Sequence, residues 1–333
     1  MRSLPDTRPP ALPKGGRHVR DRLHWRLARP PGKGHVAAMQ IRPYRRRRSV
    51  LYVPATNEKA LAKLPSLACD AVILDLEDAV APADKGRARD NLARLFAAGR
   101  PFAGETVIRI NALAGEWGAE DTAAALACRP DAILLPKVES ARDILEADEA
   151  LDDTDSLDGP RVWAMIETPR ALLNIGAIAE LGRDRAARLD CFVAGTNDLV
   201  KDTGVLATPD RRYLKGWLMQ MVLAARAGGL DVLDGVNNDF SDLDAFSREC
   251  AESAEMGFDG RTLIHPRQIE PANKAYSPAE SAVAEARAIV AAFAVPENAG
   301  KGVISLGGRM VERLHLAQAE RLLAKASDMG VSA

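Results

Sequence analysis

The stretch Ala71-Val72-Ile73-Leu74-Asp75-Leu76-Glu77-Asp78 places four apolar residues directly before three carboxylates in four positions. A short, unbroken apolar run reads as a strand buried on both faces, as in a parallel sheet. A helix-period segment, Lys85–Ala98, follows it, and then a second apolar run, Val107–Ile110. Strand, helix, strand is the signature of a parallel pair joined by a helical crossover. Working outward, the same alternation extends in both directions. Ser49–Val53 lies upstream. Ala132–Leu135, Val162–Ile166, Cys191–Val193, Leu230–Leu233 and a weaker run near Arg261–Ile264 lie downstream, with helical segments such as Pro169–Leu181 between them. Eight such units predict an α/β protein with a (β/α)8 TIM barrel rather than an open doubly wound sheet. The first unit turns through Pro54-Ala55-Thr56-Asn57, not through a GxGxxG loop, which argues against dinucleotide binding.

The flanks are different in character. Residues 1–48 hold 14 Lys+Arg against 2 Asp+Glu, and the remainder carries a net −13. The segment is rich in Pro and Gly and cannot bury enough apolar surface to offset its ordering entropy, so residues 1–48 read as a disordered leader. It fits an organellar leader, a nucleic-acid tail, or residues upstream of a true start at Met39. A chain beginning at Met39 is expected to fold and work unchanged. Residues 49–270 read as the barrel and 271–333 as an Ala-rich helical extension or lid, with Gly307-Gly308 as its hinge. No run approaches the 18 or so apolar residues of a membrane span. The four cysteines are scattered, with no CxxC pair to bind zinc. Aromatics are 5% of the chain, too few for a single-strand stacking platform, so neither nucleic acid nor membrane is expected as a partner. A cytoplasmic setting is expected.

In a barrel of this kind the chemistry sits at the C-terminal ends of the strands. Those positions carry Asp75-Leu76-Glu77-Asp78, Arg109-Ile110-Asn111, Pro136-Lys137, Glu167-Thr168, Gly195-Thr196-Asn197-Asp198, Asp234-Gly235 and His265-Pro266. Clustered carboxylates cost stability unless a cation offsets them. Beyond the leader there are just two histidines, His265 and His315, so a His-rich transition-metal site is excluded. Carboxylates with open positions suit a hard divalent ion, Mg²⁺ first and Mn²⁺ second. Asp75 reads as an ion-pair partner inside the mouth. Lys137 and His265 read as structural, and Asp234 stays undecided.

Taken together, Arg48–Pro54, Leu74–Val80, Arg109–Asn111, Leu135–Lys137, Ile166–Thr168, Gly195–Leu199 and Ile264–Gln268 resemble the citrate lyase β-subunit-like branch of the HpcH/HpaI aldolase superfamily. The resemblance runs from about Arg48 to the C-terminus. It implies a (β/α)8 barrel, bound Mg²⁺, a homotrimer, and reversible carbon–carbon cleavage of 3-hydroxyacyl-CoA thioesters such as malyl-CoA, citramalyl-CoA or citryl-CoA. Carried over to this chain, Glu167 and Asp198 match the metal ligands. Arg109 matches the arginine on the reacting oxygens, and Glu77 and Asp78 match the acidic pair that orients water. Arg48 and Lys59 match the side that meets the CoA phosphates.

Two positions separate this chain from its relatives within that resemblance. Asp78 stands where the branch acting on free pyruvate-derived aldols carries histidine, which favours CoA thioesters. The C-terminal lid motif usually supplies an aspartate as acid/base to a neighbouring subunit, and this chain has Glu312 there, in Gly308-Arg309-Met310-Val311-Glu312-Arg313-Leu314. The extra methylene shifts the carboxyl by about 1 Å, enough to matter for positioned chemistry. The expected activity is a Mg²⁺-dependent carbon–carbon lyase that forms or cleaves a 3-hydroxyacyl-CoA through a thioester enolate, with a small keto acid as second partner. A thioesterase on the same scaffold and a non-catalytic subunit of a lyase complex are the alternatives.

Overall fold

The computed structural model describes residues 45–151 and 159–329. Most of the leader, residues 1–44, lies outside the described residues. Eight parallel strands close into a barrel in chain order: β1 Ser49–Pro54, β2 Ala71–Asp75, β3 Glu105–Arg109, β4 Ala132–Leu135, β5 Arg161–Ile166, β6 Leu189–Ala194, β7 Asp231–Asp234 and β8 Gly260–Leu263. β8 returns to pair with β1 in parallel, with Val50 opposite Thr262.

The strands read as continuous apolar runs because both faces are buried, in two separate cores. Val50, Ile73, Val107, Leu134, Trp163, Cys191 and Leu233 fill the barrel interior. Val72, Leu74, Ile108, Ile133, Phe192 and Val232 point outward under the helices. Side chains two apart share a face. The interior set Ile73 on β2 therefore continues to Asp75, Val107 on β3 to Arg109, and Trp163 and Met165 on β5 to Glu167. On these three strands the inward column ends in a charged group at the C-terminal mouth.

The opposite end shows a feature that the sequence reading assigned to the disordered leader. Arg47 is fully buried across the barrel floor. Its guanidinium pairs with Glu105 at 2.7 Å, Asp190 at 2.5 Å and Asp231 at 2.7 Å, and lies 4.7 Å from the Trp163 ring centroid. Arg45 adds a partly exposed pair with Glu105. The barrel domain therefore begins before Ser49.

Beyond the barrel, helix Glu280–Ala294 and helix Arg313–Asp328 pack together with a two-stranded hairpin, β9 Val303–Leu306 and β10 Arg309–Glu312. Phe293, Ile304 and Val311 form their small core. Gly307 and Gly308 adopt φ +56° and +79°, the conformation of a two-residue hairpin turn, and join β9 to β10. Among the described residues, no helix is long and apolar enough to cross a membrane.

Candidate active site at the barrel mouth

The loop after β2 takes its shape from Asp75, whose carboxylate accepts the backbone N–H of Glu77 at 2.9 Å and of Ala79 at 3.1 Å. Lys85 fixes the same loop from outside. Its buried ammonium donates to the carbonyls of Leu76 and Glu77 at 2.7 and 2.8 Å, and to Asn111 Oδ1 at 3.0 Å. The sequence reading passed over Lys85, because an amine in the first turn of an exposed helix looks like surface.

The loop surrounds Arg109 with carboxylates. Asp75 binds Nε and Nη2 at 2.7 and 2.6 Å, while Nη1 lies 2.8 Å from Glu77 Oε2 and 3.5 Å from Asp78 Oδ2. The Tyr52 ring lies 4.9 Å from the guanidinium carbon. Glu77 is buried while the Asp78 side chain is 62% exposed, so the adjacent acids differ in environment. Burial raises the Glu77 carboxyl to about 7 against the opposing pull of Arg109, with Asp78 adding to the rise. Such a group changes protonation near neutral pH, which suits a proton-transfer role.

Across the mouth, Glu167 is fully buried at the end of β5, and Thr168 caps the following helix by accepting the Ala171 N–H at 3.0 Å. One carboxylate oxygen, Oε1, accepts the Lys137 backbone N–H at 2.7 Å, and the other, Oε2, has no hydrogen-bond partner. Burial pushes the Glu167 carboxyl up, opposed first by Lys137. Gly195 is what admits this side chain: a Cβ there would stand 2.2 Å from Glu167 Cβ and 2.7 Å from Oε2. Two residues into the next helix, Asp198 Oδ1 lies 2.9 Å from the Lys137 ammonium, which is also 3.3 Å from Glu167 Oε1. Lys137, read as structural from the sequence, thus bridges the two expected metal ligands.

These residues fit a hard divalent ion. A buried oxygen without a partner costs free energy unless something positive or protic meets it. Among the described residues no three His, Cys, Asp or Glu side chains converge into a ready cage. A pair is sufficient for Mg²⁺, which usually takes one or two carboxylates and fills the rest of its octahedron with water and substrate oxygens. Between Asp198 and the Arg109 cluster lies a cavity of about 300 Å³, with Gly195, against which Glu167 packs, in its wall. Arg109, Asp78, Asp198 and Asn197 supply part of its polar wall, and Met165 and Ile264 part of its apolar wall.

The HpcH/HpaI aldolase/citrate lyase family model matches residues 48–266, the whole barrel from the arginine before β1 to the turn after β8. The chain belongs to this family. Among its family relatives, (3S)-malyl-CoA thioesterase of Cereibacter sphaeroides (strain ATCC 17025 / ATH 2.4.3) is 42% identical over 289 residues, covering 87% of this chain and 96% of the relative. Citrate lyase subunit beta of Escherichia coli (strain K12) is 31% identical over 300 residues, covering 89% and 98%. The crystal structure of the family protein CitE from Mycobacterium tuberculosis, in complex with magnesium, acetoacetate and coenzyme A, superposes with a TM-score of 0.67 at 31% identity. It covers 84% of this chain and 97% of that one.

Three residues expected to act in this family's chemistry are placed as follows. Arg48 is a correction. It precedes β1 and so lies at the floor end, where it donates to both oxygens of Asp70 at 2.8 Å and to Ser277 Oγ at 2.9 Å. Its charge is spent closing the barrel, away from the mouth. Lys59 is exposed on the short helix Glu58–Leu61 that follows β1 at the mouth end. Glu312 is the N-cap of helix Arg313–Asp328. Its carboxylate accepts the His315 N–H and its own N–H donates to His315 Nδ1 at 2.9 Å. It does not line the mouth cavity. Of the remaining strand-end residues, Asp234 is fully buried against Arg211, and His265 stacks on Phe240 with ring centroids 4.7 Å apart.

Proposed function

We propose that this chain hydrolyses the thioester of a short 3-hydroxyacyl-CoA of the malyl-CoA class, with Mg²⁺ held by Glu167 and Asp198. The observation that carries the metal is the buried, unpartnered Glu167 Oε2 beside Asp198. The thioester reading is supported by the 42% identity to a protein named (3S)-malyl-CoA thioesterase. Mg²⁺, with Mn²⁺ as second choice, would supply Lewis-acid polarisation and charge neutralisation at substrate oxygens. Arg109, held immobile by Asp75, offsets the negative charge that grows on the thioester oxygen as the carbonyl is attacked. Glu77 and Asp78 place a water beside it, and the Glu77 carboxylate takes the water proton. The new carbon–oxygen bond forms, the carbon–sulfur bond breaks, and the proton ends on the CoA thiol. Lys59, exposed at the mouth end, would meet the CoA phosphates.

The second reading is carbon–carbon cleavage, favoured by the 31% identity to a citrate lyase β subunit. Arg109 would then steady the thioester enolate, a keto acid would leave, and Glu312, in a homotrimer, would carry the proton for a neighbouring subunit. Incubation with Mg²⁺ and malyl-, citramalyl- and citryl-CoA, with products identified by mass, separates the two. Hydrolysis releases free CoA and the intact hydroxy acid. Cleavage releases a keto acid and a shorter acyl-CoA. Turnover of neither kind overturns both.

A further inference from the structure

Among the described residues, Lys137 forms ion pairs with both proposed metal ligands, and it does so from a costly conformation. Its backbone sits at φ +52°, the left-handed region that non-glycine side chains adopt rarely and at an energetic cost. That turn aims two groups of one residue at one target. The N–H is donated to Glu167 Oε1, and the ammonium reaches both Glu167 Oε1 and Asp198 Oδ1. Two carboxylates this close, one fully buried, repel each other unless a positive charge stands between them. The ammonium supplies that charge.

We infer that the Lys137 ammonium is a built-in placeholder cation for the Glu167–Asp198 pair, competing with the divalent ion for the charge of the same two carboxylates and withdrawing when it binds. This inference rests on the metal reading above. The competition follows from position: a cation held by Glu167 Oε2 and Asp198 shares Asp198 Oδ1 with the ammonium and faces it across the Glu167 carboxylate. Once a doubly charged ion is in place, the singly charged amine beside it is repelled.

The side chain has somewhere to go. It is 37% exposed, so withdrawal needs no core rearrangement. Lys137 also lines a neighbouring cavity of about 180 Å³ whose wall carries Glu139, Asp143 and Glu146, which give the displaced charge acceptor oxygens although Glu139 and Glu146 already pair with Arg170 and Arg142. The backbone N–H stays with Glu167 throughout, because the turn holds it there whichever way the amine points. The device keeps the two ligands together and neutralised before the metal arrives, and it weakens metal binding in return.

The test is titration of the full chain with Mg²⁺, and in parallel Mn²⁺, by calorimetry for the wild type, Lys137→Met and Lys137→Gly. The glycine variant keeps the N–H and tolerates positive φ. Both variants should bind Mg²⁺ about tenfold or more tightly than the wild type, a difference of about 1.4 kcal/mol. Their metal-free melting temperatures should fall while the rise on adding Mg²⁺ grows. In the wild type, acylation of the Lys137 amine followed by mass spectrometry should speed up when Mg²⁺ is added, a readout that needs no variant. Equal or weaker binding in the variants, or unchanged Lys137 labelling in a wild type that binds Mg²⁺, overturns the placeholder alone. A wild type that binds no Mg²⁺ overturns the metal reading and the placeholder with it.

Discussion

Asp75 and Arg109 are register partners on β2 and β3, and the Asp75 carboxylate takes both the Nε and Nη2 hydrogens of Arg109. A fork held by a fork fixes the plane as well as the position of the guanidinium. The third nitrogen is thereby aimed at Glu77 and Asp78. An ammonium cannot copy this arrangement. Arg109→Lys should lower kcat/KM by about 10²–10³-fold, the usual loss for one charge-stabilising donor, while Mg²⁺ affinity changes little. Arg109→Met leaves Asp75 and Glu77 buried without their cation and should also cost about 3–5 kcal/mol of stability. Steady-state kinetics with calorimetric Mg²⁺ titration and denaturant melts check both. Kinetics within a few-fold of wild type in the lysine variant would remove Arg109 from the chemistry.

The Glu77 carboxyl, raised by burial from 4.5 to about 7, keeps a proton in the fold that the unfolded chain has already released between those pH values. Where the native state binds the extra proton, stability falls as pH rises. Ionised Glu77 is therefore a stability cost above about pH 7, and removing the charge should relieve it. Glu77→Gln should melt at or above the wild-type temperature at pH 8, with the advantage shrinking towards pH 5, while turnover drops sharply. Wild-type turnover should climb through about pH 7 as the carboxylate becomes available as a base. A variant that melts several degrees lower at pH 8 would show that the Arg109 contact outweighs burial.

How far the sequence reached can be judged residue by residue. The eight strands were legible because burial on both faces leaves unbroken apolar runs, and strand ends were legible because charges interrupt them. Asp75, Arg109 and Glu167 follow from that same two-residue periodicity. Arg47 was illegible for the opposite reason. Its partners Glu105, Asp190 and Asp231 are scattered along the chain, and four consecutive arginines look solvated until closure of the barrel brings those acids to one floor. Arg48 was misplaced because its motif matched while the direction of β1 puts it at the wrong end. Lys137 was underread because nothing in Pro136-Lys137-Val138 signals a positive φ.

Gly195 tests the metal pair without touching a ligand. Its φ of −98° is open to any residue, so the effect of a side chain there is steric alone. The methyl of Gly195→Ala would fall 2.2 Å from Glu167 Cβ, far inside contact distance, and Glu167 is buried with little room to retreat. Displacing that carboxylate should weaken Mg²⁺ binding by tenfold or more and lower activity in parallel, as read by calorimetry and product assay. Unchanged Mg²⁺ affinity in a folded variant would count against Glu167 as a ligand.

Arg47 is predicted to contribute strongly to stability and nothing to the chemistry. Arg47→Met preserves much of the packing against Trp163 but leaves three acids facing one another at the floor. Breaking a buried ion cluster from one side costs about 3–5 kcal/mol, which should appear as a large fall in denaturation midpoint. At a temperature where the variant is folded, KM and Mg²⁺ affinity should match the wild type. A wild-type midpoint would mean that the floor carboxylates are neutralised some other way.

Glu312 offers the sharpest separation between the two chemistries, because its structural and catalytic roles need different things from the side chain. As N-cap of helix Arg313–Asp328 it needs only an acceptor oxygen, which glutamine also has. As a lid acid/base it needs a titratable proton, which glutamine lacks. Hydrolysis driven from Glu77 does not use Glu312. Glu312→Gln should therefore keep both the melting temperature and the rate of CoA release within a few-fold. Glu312→Ala should lose about 1 kcal/mol of stability from the missing cap. If Glu312→Gln instead keeps its stability while kcat falls by about 10²–10⁴-fold, the scale for a lost proton-transfer group, then Glu312 carries the proton. The carbon–carbon reading then takes precedence over hydrolysis. Mixing an inactive Glu312→Gln chain with an inactive Arg109→Lys chain would complete the case, since regained activity requires one subunit to lend its Glu312 to another's mouth.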